Sequence, residues 1–414
     1  MRKLLSIRPI DPIMVRDGRP FTITPGIRAH TLNDVTPSTV TGAIRTLLGK
    51  RLAAATGVEK IAHYAKVPVR GPLYEWRGSL YFPMPQDVEL HEEQKVEKVR
   101  FVKPTQPSDS GQGFWGVGKE GLLNGVDLLW PPIGAGQAKT SLVKPSYVSA
   151  SWMKRWLCGE LDSKAWAAAL REWRVSKEKQ HSQVEGDIPF LAAWSKEVRT
   201  HTEIDKSTYS ARKEHLFSTE ALALPPDVTM QVSLEMPQEE SGDTDPIDLL
   251  HPLGGKRRLA HFSEMKEDSQ WNCPPEIITA LDGKKYVKMV LVTPAYFRKG
   301  WLPGWLNEEL ETKDNSLGVR LKLRWACIPR WQPISGWAYS SDKSKEGLNE
   351  KAVRRMVPAG SVYFFEVIDG GNPRVLAEQS WLQSVSDTNR RKEAFDKEDG
   401  YGLAVWGVWD CSAK

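Results

Sequence analysis

Apolar positions along the chain switch between two rhythms. "KLLSIRPI" (3–10) alternates closely enough, and is aliphatic enough, to predict a strand. "DPIMVRDGRPF" (11–21) predicts a loop, with Pro12 and Asp17-Gly18 as its turn residues. "TPSTVTGAIRTLLGKRLAAATG" (36–57) changes to helical spacing. Ile44, Leu47, Leu48 and Leu52 line one face, and Pro37, Ser38 and Thr39 supply a capped start. "GPLYEWRGSLYFPMP" (71–85) predicts a hairpin turning at Arg77-Gly78.

Residues 86–200 lose this regularity. A Gly/Ser/Pro-rich stretch (103–121) is followed by "SASWMKRWLCGELDSKAWAAALREWRVSKEK" (149–179), whose tryptophans recur at helical spacing. The region predicts a large insertion, partly helical, with those tryptophans packed in a core. Strand patterns return in 201–224 and 228–236. After the polar linker "PQEESGDTD", "PIDLLHP" (246–252) predicts a short helix leading into "LGGKRRLAHF" (253–262). The last third predicts strands at 284–297, 319–331 and 352–368, a helix at 373–387, and a Gly-rich turn with a final strand over 397–410.

Two stretches therefore run through a similar order, and each ends on a Gly-rich turn before its last strand. The expected class is α+β: two ferredoxin-like (RRM-like) domains, each an antiparallel four-stranded sheet backed by helices. Their expected limits are 1–268, carrying the insertion at about 86–200, and 269–414. With 414 residues the chain is long enough for two or three domains and needs no disulfide or metal to fold.

Charge sharpens this picture. The formal net charge is only +5, but the first 70 residues hold 12 Lys/Arg against 4 Asp/Glu, leaving the rest slightly acidic. A polyanion, if bound, is expected at the N-terminal part; chance clustering of solvated charge fits as well. The four cysteines contain no Cys-x-x-Cys pair, so neither a zinc knuckle nor a redox motif is indicated. No run of apolar residues is long enough to span a bilayer and no signal peptide is legible, so a cytoplasmic location without membrane contact is expected. Seventeen tryptophans suit buried anchors or a large assembly interface.

Catalytic motifs fail on inspection. "GFWGVGK" (113–119) has P-loop glycine spacing but Glu120 where Ser or Thr is needed, and "GAGQAKTS" (134–141) has Ala138 in place of glycine. His-Glu-x-x-His and Gly-x-Ser-x-Gly are absent, and the histidines show no ligand spacing. No metal or cofactor is expected. A metal-free ribonuclease needs only one base and one cation near a bent phosphate, and His30 and His201 keep that reading open.

The ordered set "IRPIDPIMVRDGRPF", "TPSTVTGAIRTLL", "HTEIDKSTYSARKEHLFSTEAL", "LGGKRRLAHF", "VLVTPAYFRKGWLPGW", "VPAGSVYFFEV" and "EDGYGLAVWG" resembles the RAMP superfamily of CRISPR effector proteins. Within it, the set is most similar to the subunit of type III-B (Cmr) complexes that holds the 5′ tag of the guide RNA. The resemblance covers nearly the whole chain and least of all 86–200. It implies a non-catalytic RNA-binding subunit that cradles the tag, docks the large polymerase-like subunit, abuts an adjacent backbone RAMP subunit and meets target RNA only indirectly. It also implies that the Gly-rich loops lie against guide RNA.

The residues themselves offer candidates for that contact. Lys256, Arg257 and Arg258 follow a Gly-Gly turn; they serve either an anion-binding loop or the cap of a preceding helix. Arg16 and Arg19 sit on the loop after the first strand, where Asp17 is an alternative partner. Thr39, Thr41 and Arg45 lie in the first turns of the first helix, whose free N–H groups favour phosphate. Arg212 and Lys213 lie in an expected hairpin that either grips the RNA strand or is merely solvated, His201 is a further candidate, and Tyr209 and Tyr401 are stacking candidates or core residues. Besides a guide-tag subunit, two other functions are open: a metal-independent endoribonuclease that processes guide RNA through His201, and a structural adaptor with incidental RNA contact.

Overall fold

The computed structural model describes residues 2–17, 26–56, 64, 66–93, 96–106, 129–130, 132, 141, 143–178, 188–236, 245–266, 269–337, 350–388 and 397–411. It is a mixed α+β protein built mostly of antiparallel sheets with few helices.

The first strand, Arg2–Pro9, buries Leu4 on one side and Leu5 and Ile7 on the other. Such a strand needs cover on both faces. It pairs antiparallel with Val228–Glu235 and with Leu259–Met265, and Val69–Trp76 lies beyond Val228–Glu235. Asp248–Pro252 extends one edge. Ser79–Pro83, Tyr147–Ser149 and Phe190–Leu191 extend the other, giving eight strands in all. The helix Pro37–Thr56 lays Val40, Ile44, Leu47 and Leu48 against one face. The opposite face is covered by the helices Ala150–Leu157 and Ser163–Glu178, through Met153, Trp156, Trp166 and Trp173, in a core continuous with the C-terminal sheet. The tryptophans at helical spacing are thus core residues, and residues of 86–200 complete the sheet rather than hang from it.

The C-terminal sheet has five antiparallel strands in the order Leu321–Cys327, Val362–Val367, Tyr286–Leu291, Leu403–Val408, Gln383–Ser384. The helices Pro275–Leu281 and Arg374–Ser380 pack on it, burying Ile277, Leu281, Leu376 and Ala377. A two-stranded ribbon, Gln332–Trp337 with Glu350–Met356, forms a small sheet of its own. A second ribbon, Ser195–Ile204 with Ala211–Ala223, carries the short parallel strand Arg28–Ala29 and keeps most of Ser195–Ile204 exposed.

Several expectations change. The sheets have eight and five strands, not four, because segments of the insertion and edge strands add to them. "PIDLLHP" is the strand Asp248–Pro252, not a helix: two prolines bracket a segment too short to propagate a helix, and a ladder to Leu259–Met265 satisfies its backbone instead. The stretch 352–368 is two strands broken at Pro358–Gly360. The stretch 149–179 is two helices separated at Gly159, whose φ is 76°. The helix in 373–387 ends at Ser380.

Candidate nucleic-acid interface

The loop that carries Lys256, Arg257 and Arg258 follows a strand, so there is no helix for it to cap. It is instead a strutted turn. The Leu253 amide donates to the Arg258 carbonyl at 2.6 Å, and the Gly255 amide to the Met14 carbonyl at 2.7 Å. Gly254 has φ 74°, and a Cβ there would stand 2.6 Å from the Met14 oxygen, so only glycine fits. Lys256 and Arg257 also adopt left-handed backbone, φ 59° and 50°. Both side chains are exposed and that of Arg258 is half-buried. Among the described residues none of the three meets a carboxylate within ion-pair distance.

Two other segments meet this turn. The loop after the first strand is sewn to it through Met14 and to the hairpin by Ile13 and Leu222, whose amides and carbonyls pair at 2.9 and 2.7 Å. The middle of the Ser195–Ile204/Ala211–Ala223 hairpin presents His201 stacked on Phe217, ring centroids 5.1 Å apart. His201 Nε2 lies 2.9 Å from Thr219 Oγ1 and 3.4 Å from Lys256 Nζ, and that ammonium also sits 5.2 Å from the Phe217 ring centre. Burial, then the charges of Lys256, Arg258 and Arg199, hold His201 below the usual imidazole pKa. Burial and Arg258 likewise lower Lys256. The site carries mutually repelling positive charge on an aromatic platform, which a phosphate would relieve.

The neighbouring cations differ because they are neutralised. Buried Glu220 takes Arg28 at 3.5 Å, His30 at 3.1 Å and Lys196 at 3.9 Å. Burial pushes its carboxyl up, but the bonds and charges of His30, the Thr31 amide and Lys196 outweigh this and leave it lowered. Arg199 pairs with Glu197. At the hairpin tip Arg212 pairs with Glu203 at 2.8 Å and Asp205 at 3.6 Å. Tyr209, with φ 53° and 85% exposed, stands out into solvent. Arg16 is exposed on the strand-like pairing with Thr31. Arg19 and the side chain of Lys213 lie outside the described residues.

The candidates on the first helix and the second Gly-rich turn form a different structure. Tyr401 is fully buried, its hydroxyl 2.7 Å from Ser38 Oγ, so it is a joint residue and not a stacking platform. Thr41, also buried, donates to the Asp399 carbonyl at 3.0 Å. Arg45 spends its guanidinium on Asp399 at 2.6 Å and on the carbonyls of Val67 and Glu398 at 2.9 and 3.2 Å. Thr41 and Arg45 therefore join the two halves rather than face a ligand; the helix-terminus reading overlooked that the C-terminal turn occupies that place. Thr39 is half-buried, its Oγ1 2.8 Å from that of Thr36.

Beside this joint is a cleft lined by Asp34, Thr36, Pro37, Tyr74, Thr293 and Gln332. Asp34 accepts from the Val35 amide at 2.9 Å and from the Tyr74 hydroxyl, and burial pushes its carboxyl up to about 6. Sequence reasoning missed Asp34, Phe217 and Thr219. Phe217 and Thr219 are odd-numbered residues of one strand, and so share a face with each other and with His201, but only the strand register reveals it. Among the described residues no group of three or more His, Cys, Asp or Glu is placed to hold a metal, and no helix is long and apolar enough to cross a membrane.

No curated protein matches the chain. Among solved structures, it is similar to a chain of the type III-B Cmr-beta complex bound to cognate target RNA and AMPPnP, with a TM-score of 0.44 and 15% identity over 87% of this chain and 86% of that one. It is also similar to a chain of the Csm3-Csm4 subcomplex of the type III-A CRISPR-Cas interference complex, with a TM-score of 0.37 and 12% identity over 89% and 94%. The family model described as CRISPR-associated protein (Cas_Cmr3) matches residues 5–409, nearly the full length, and the chain belongs to that family.

Proposed function

We propose that this protein is the non-catalytic subunit of a type III-B CRISPR effector that holds the 5′ tag of the guide RNA. On this reading it docks the large polymerase-like subunit, abuts the adjacent backbone RAMP subunit, meets target RNA only indirectly and works in the cytoplasm. Membership of the Cas_Cmr3 family supports its place in a CRISPR effector. The observation that carries RNA binding is the strutted Gly254–Arg258 turn, which aims Lys256 and Arg257 outward beside the His201–Phe217 stack, with no carboxylate among the described residues to neutralise them.

We further propose two ferredoxin-like units with limits near 1–268 and 269–414. The support is strand order. Arg2–Pro9 lies between Val228–Glu235 and Leu259–Met265, with Val69–Trp76 beyond Val228–Glu235, and Tyr286–Leu291 lies likewise between Val362–Val367 and Leu403–Val408, with Leu321–Cys327 beyond Val362–Val367. Each half keeps one of the two expected helices, Pro37–Thr56 in the first and Arg374–Ser380 in the second.

The test is affinity of the purified chain, alone and with the large subunit, for an RNA carrying the tag against a scrambled one, across a salt series. Tag-selective binding whose salt slope shrinks when Lys256, Arg257 and Arg258 become alanine supports the clamp. Equal, weak binding that the triple variant leaves unchanged removes it. A second reading, a metal-independent endoribonuclease, draws on His201, whose Nε2 lies 3.4 Å from the Lys256 ammonium, a base beside a cation. Precursor RNA cleavage abolished in His201→Ala would favour it.

A further inference from the structure

The Gln332–Trp337/Glu350–Met356 ribbon has two unlike faces. Its inner face carries Ile334 and Met356, buried with Tyr401, and Arg354, whose guanidinium lies 5.5 Å from the Tyr401 ring centre. The ribbon is thereby seated on the joint between the halves, and Gln332 reaches the cleft that Thr36 and Pro37 line at the start of the first helix. Its footing is rigid, as a recognition surface requires.

The outer face is different. Pro333 stands opposite Arg355 in the register, and the Arg355 guanidinium lies 5.0 Å over the Trp331 ring. Trp331 is 43% and Val353 53% exposed, and Arg330 and Arg355 are exposed as well. Among the described residues neither of these arginines meets a carboxylate. Trp331 lies two residues before Pro333 with two cations beside it that meet no carboxylate among the described residues, and it has no role in the core beneath. Its chemistry fits a single-stranded polyanion with planar bases: the indole and proline offer stacking surfaces, and Arg330 and Arg355 meet phosphates. An acidic protein segment would satisfy the arginines but leave the flat ring unused.

We infer that this ribbon is a second single-stranded RNA contact, separate from the Gly254–Arg258 turn and built around Trp331 and Arg355. The inference extends the RNA-binding reading above and rests on it. It assigns to the C-terminal half a stacking contact that tolerates any base, complementing the phosphate contact of the N-terminal half.

The test is binding of fluorescein-labelled oligouridylate to the full chain in four forms: unaltered, Trp331→Ala/Arg355→Ala, Trp331→Phe, and the alanine triple of the Gly-rich turn. The double variant is expected to bind roughly tenfold more weakly, with Trp331→Phe retaining most of the affinity because a ring remains. Ultraviolet cross-linking should place the oligonucleotide on the peptide containing Trp331. Circular dichroism reports folding, and if the double variant is misfolded the cross-link on the unaltered chain decides: a cross-link absent from the Trp331 peptide overturns the inference. Unchanged affinity of the folded double variant, alongside weakened binding by the turn triple, overturns the ribbon contact and leaves the proposed function standing. Unchanged affinity in both overturns both. Loss of a protein partner from the purified effector with RNA affinity intact makes the ribbon a protein-docking face and overturns the inference.

Discussion

The two glycine-rich turns occupy matching places and have opposite fates. Each precedes the last long strand of its sheet, Leu259–Met265 in one half and Leu403–Val408 in the other. In each, a glycine with positive φ lies against a backbone carbonyl: Gly254 against Met14, Gly400 against Val69 and Gly71. Yet the first turn displays Lys256 and Arg257 to solvent, whereas the second buries Tyr401 and Asp399 against the first helix. A shared backbone device therefore does not carry a shared role. The side chains next to the glycine decide it: long cations are driven outward by desolvation cost, and a tyrosine with a hydrogen-bond partner can be buried.

The largest effects should arise at the buried turn. Gly400→Ala would put a Cβ 2.7 Å from the Val69 oxygen at a φ of 89°, so a drop in stability of about 3 kcal/mol or more is expected by chemical denaturation. Arg45→Ala takes the guanidinium away from buried Asp399 and should cost about 3 kcal/mol. Were either variant as stable as the parent, the second turn would not be the joint described.

Next in size is the exposed turn, where stability and binding should separate. Replacing Lys256, Arg257 and Arg258 with alanine should move the unfolding midpoint little. It should reduce the slope of log affinity against log salt by up to about 2 for single-stranded RNA. A large loss of stability with an unchanged slope would mean that both turns are structural.

Smaller effects should come from pH. Folded His201 resists protonation, and a bound phosphate would favour it, so RNA affinity should rise as pH falls through the imidazole range; His201→Ala should flatten that rise. Asp34 works on stability. Its folded carboxyl keeps a proton up to about 6 while the unfolded one releases it near 3.9, so the folded state binds more protons in that interval. Its contribution should decline as pH rises from about 4 to about 6, and Asp34→Asn should remove that part of the profile. A difference profile between parent and variant that is flat over this window would place Asp34 in a solvated setting.

Much of the scaffold is legible along the chain. The first strand, the first helix from Pro37 and the hairpin around Arg77-Gly78 follow from local periodicity and capping, and stand where they are expected. The resemblance carried by the ordered motifs points to the family that the full-length match bears out. Asp248–Pro252 reads wrongly as a helix because its pattern is too short to distinguish a turn of helix from a strand, and its ladder partner lies beyond the glycines. Of the site, the Lys256–Arg258 cluster can be read directly because contiguous cations are visible in a line of text. Phe217 and Thr219 cannot, since their relation to His201 exists only across strands.

By itself, the sequence determined most of the segments that form strands and helices, where the glycines would turn, and where positive charge would gather. These depend on neighbours within a few residues, through backbone preference and periodicity. Only the tertiary structure decided that one glycine-rich turn faces solvent and the other is a joint, that Arg45 answers Asp399 rather than a phosphate, and that a tryptophan of the C-terminal ribbon stays in water. Those outcomes depend on residues hundreds of positions apart meeting in one place, where burial, register and the nearest opposite charge settle what each side chain can do.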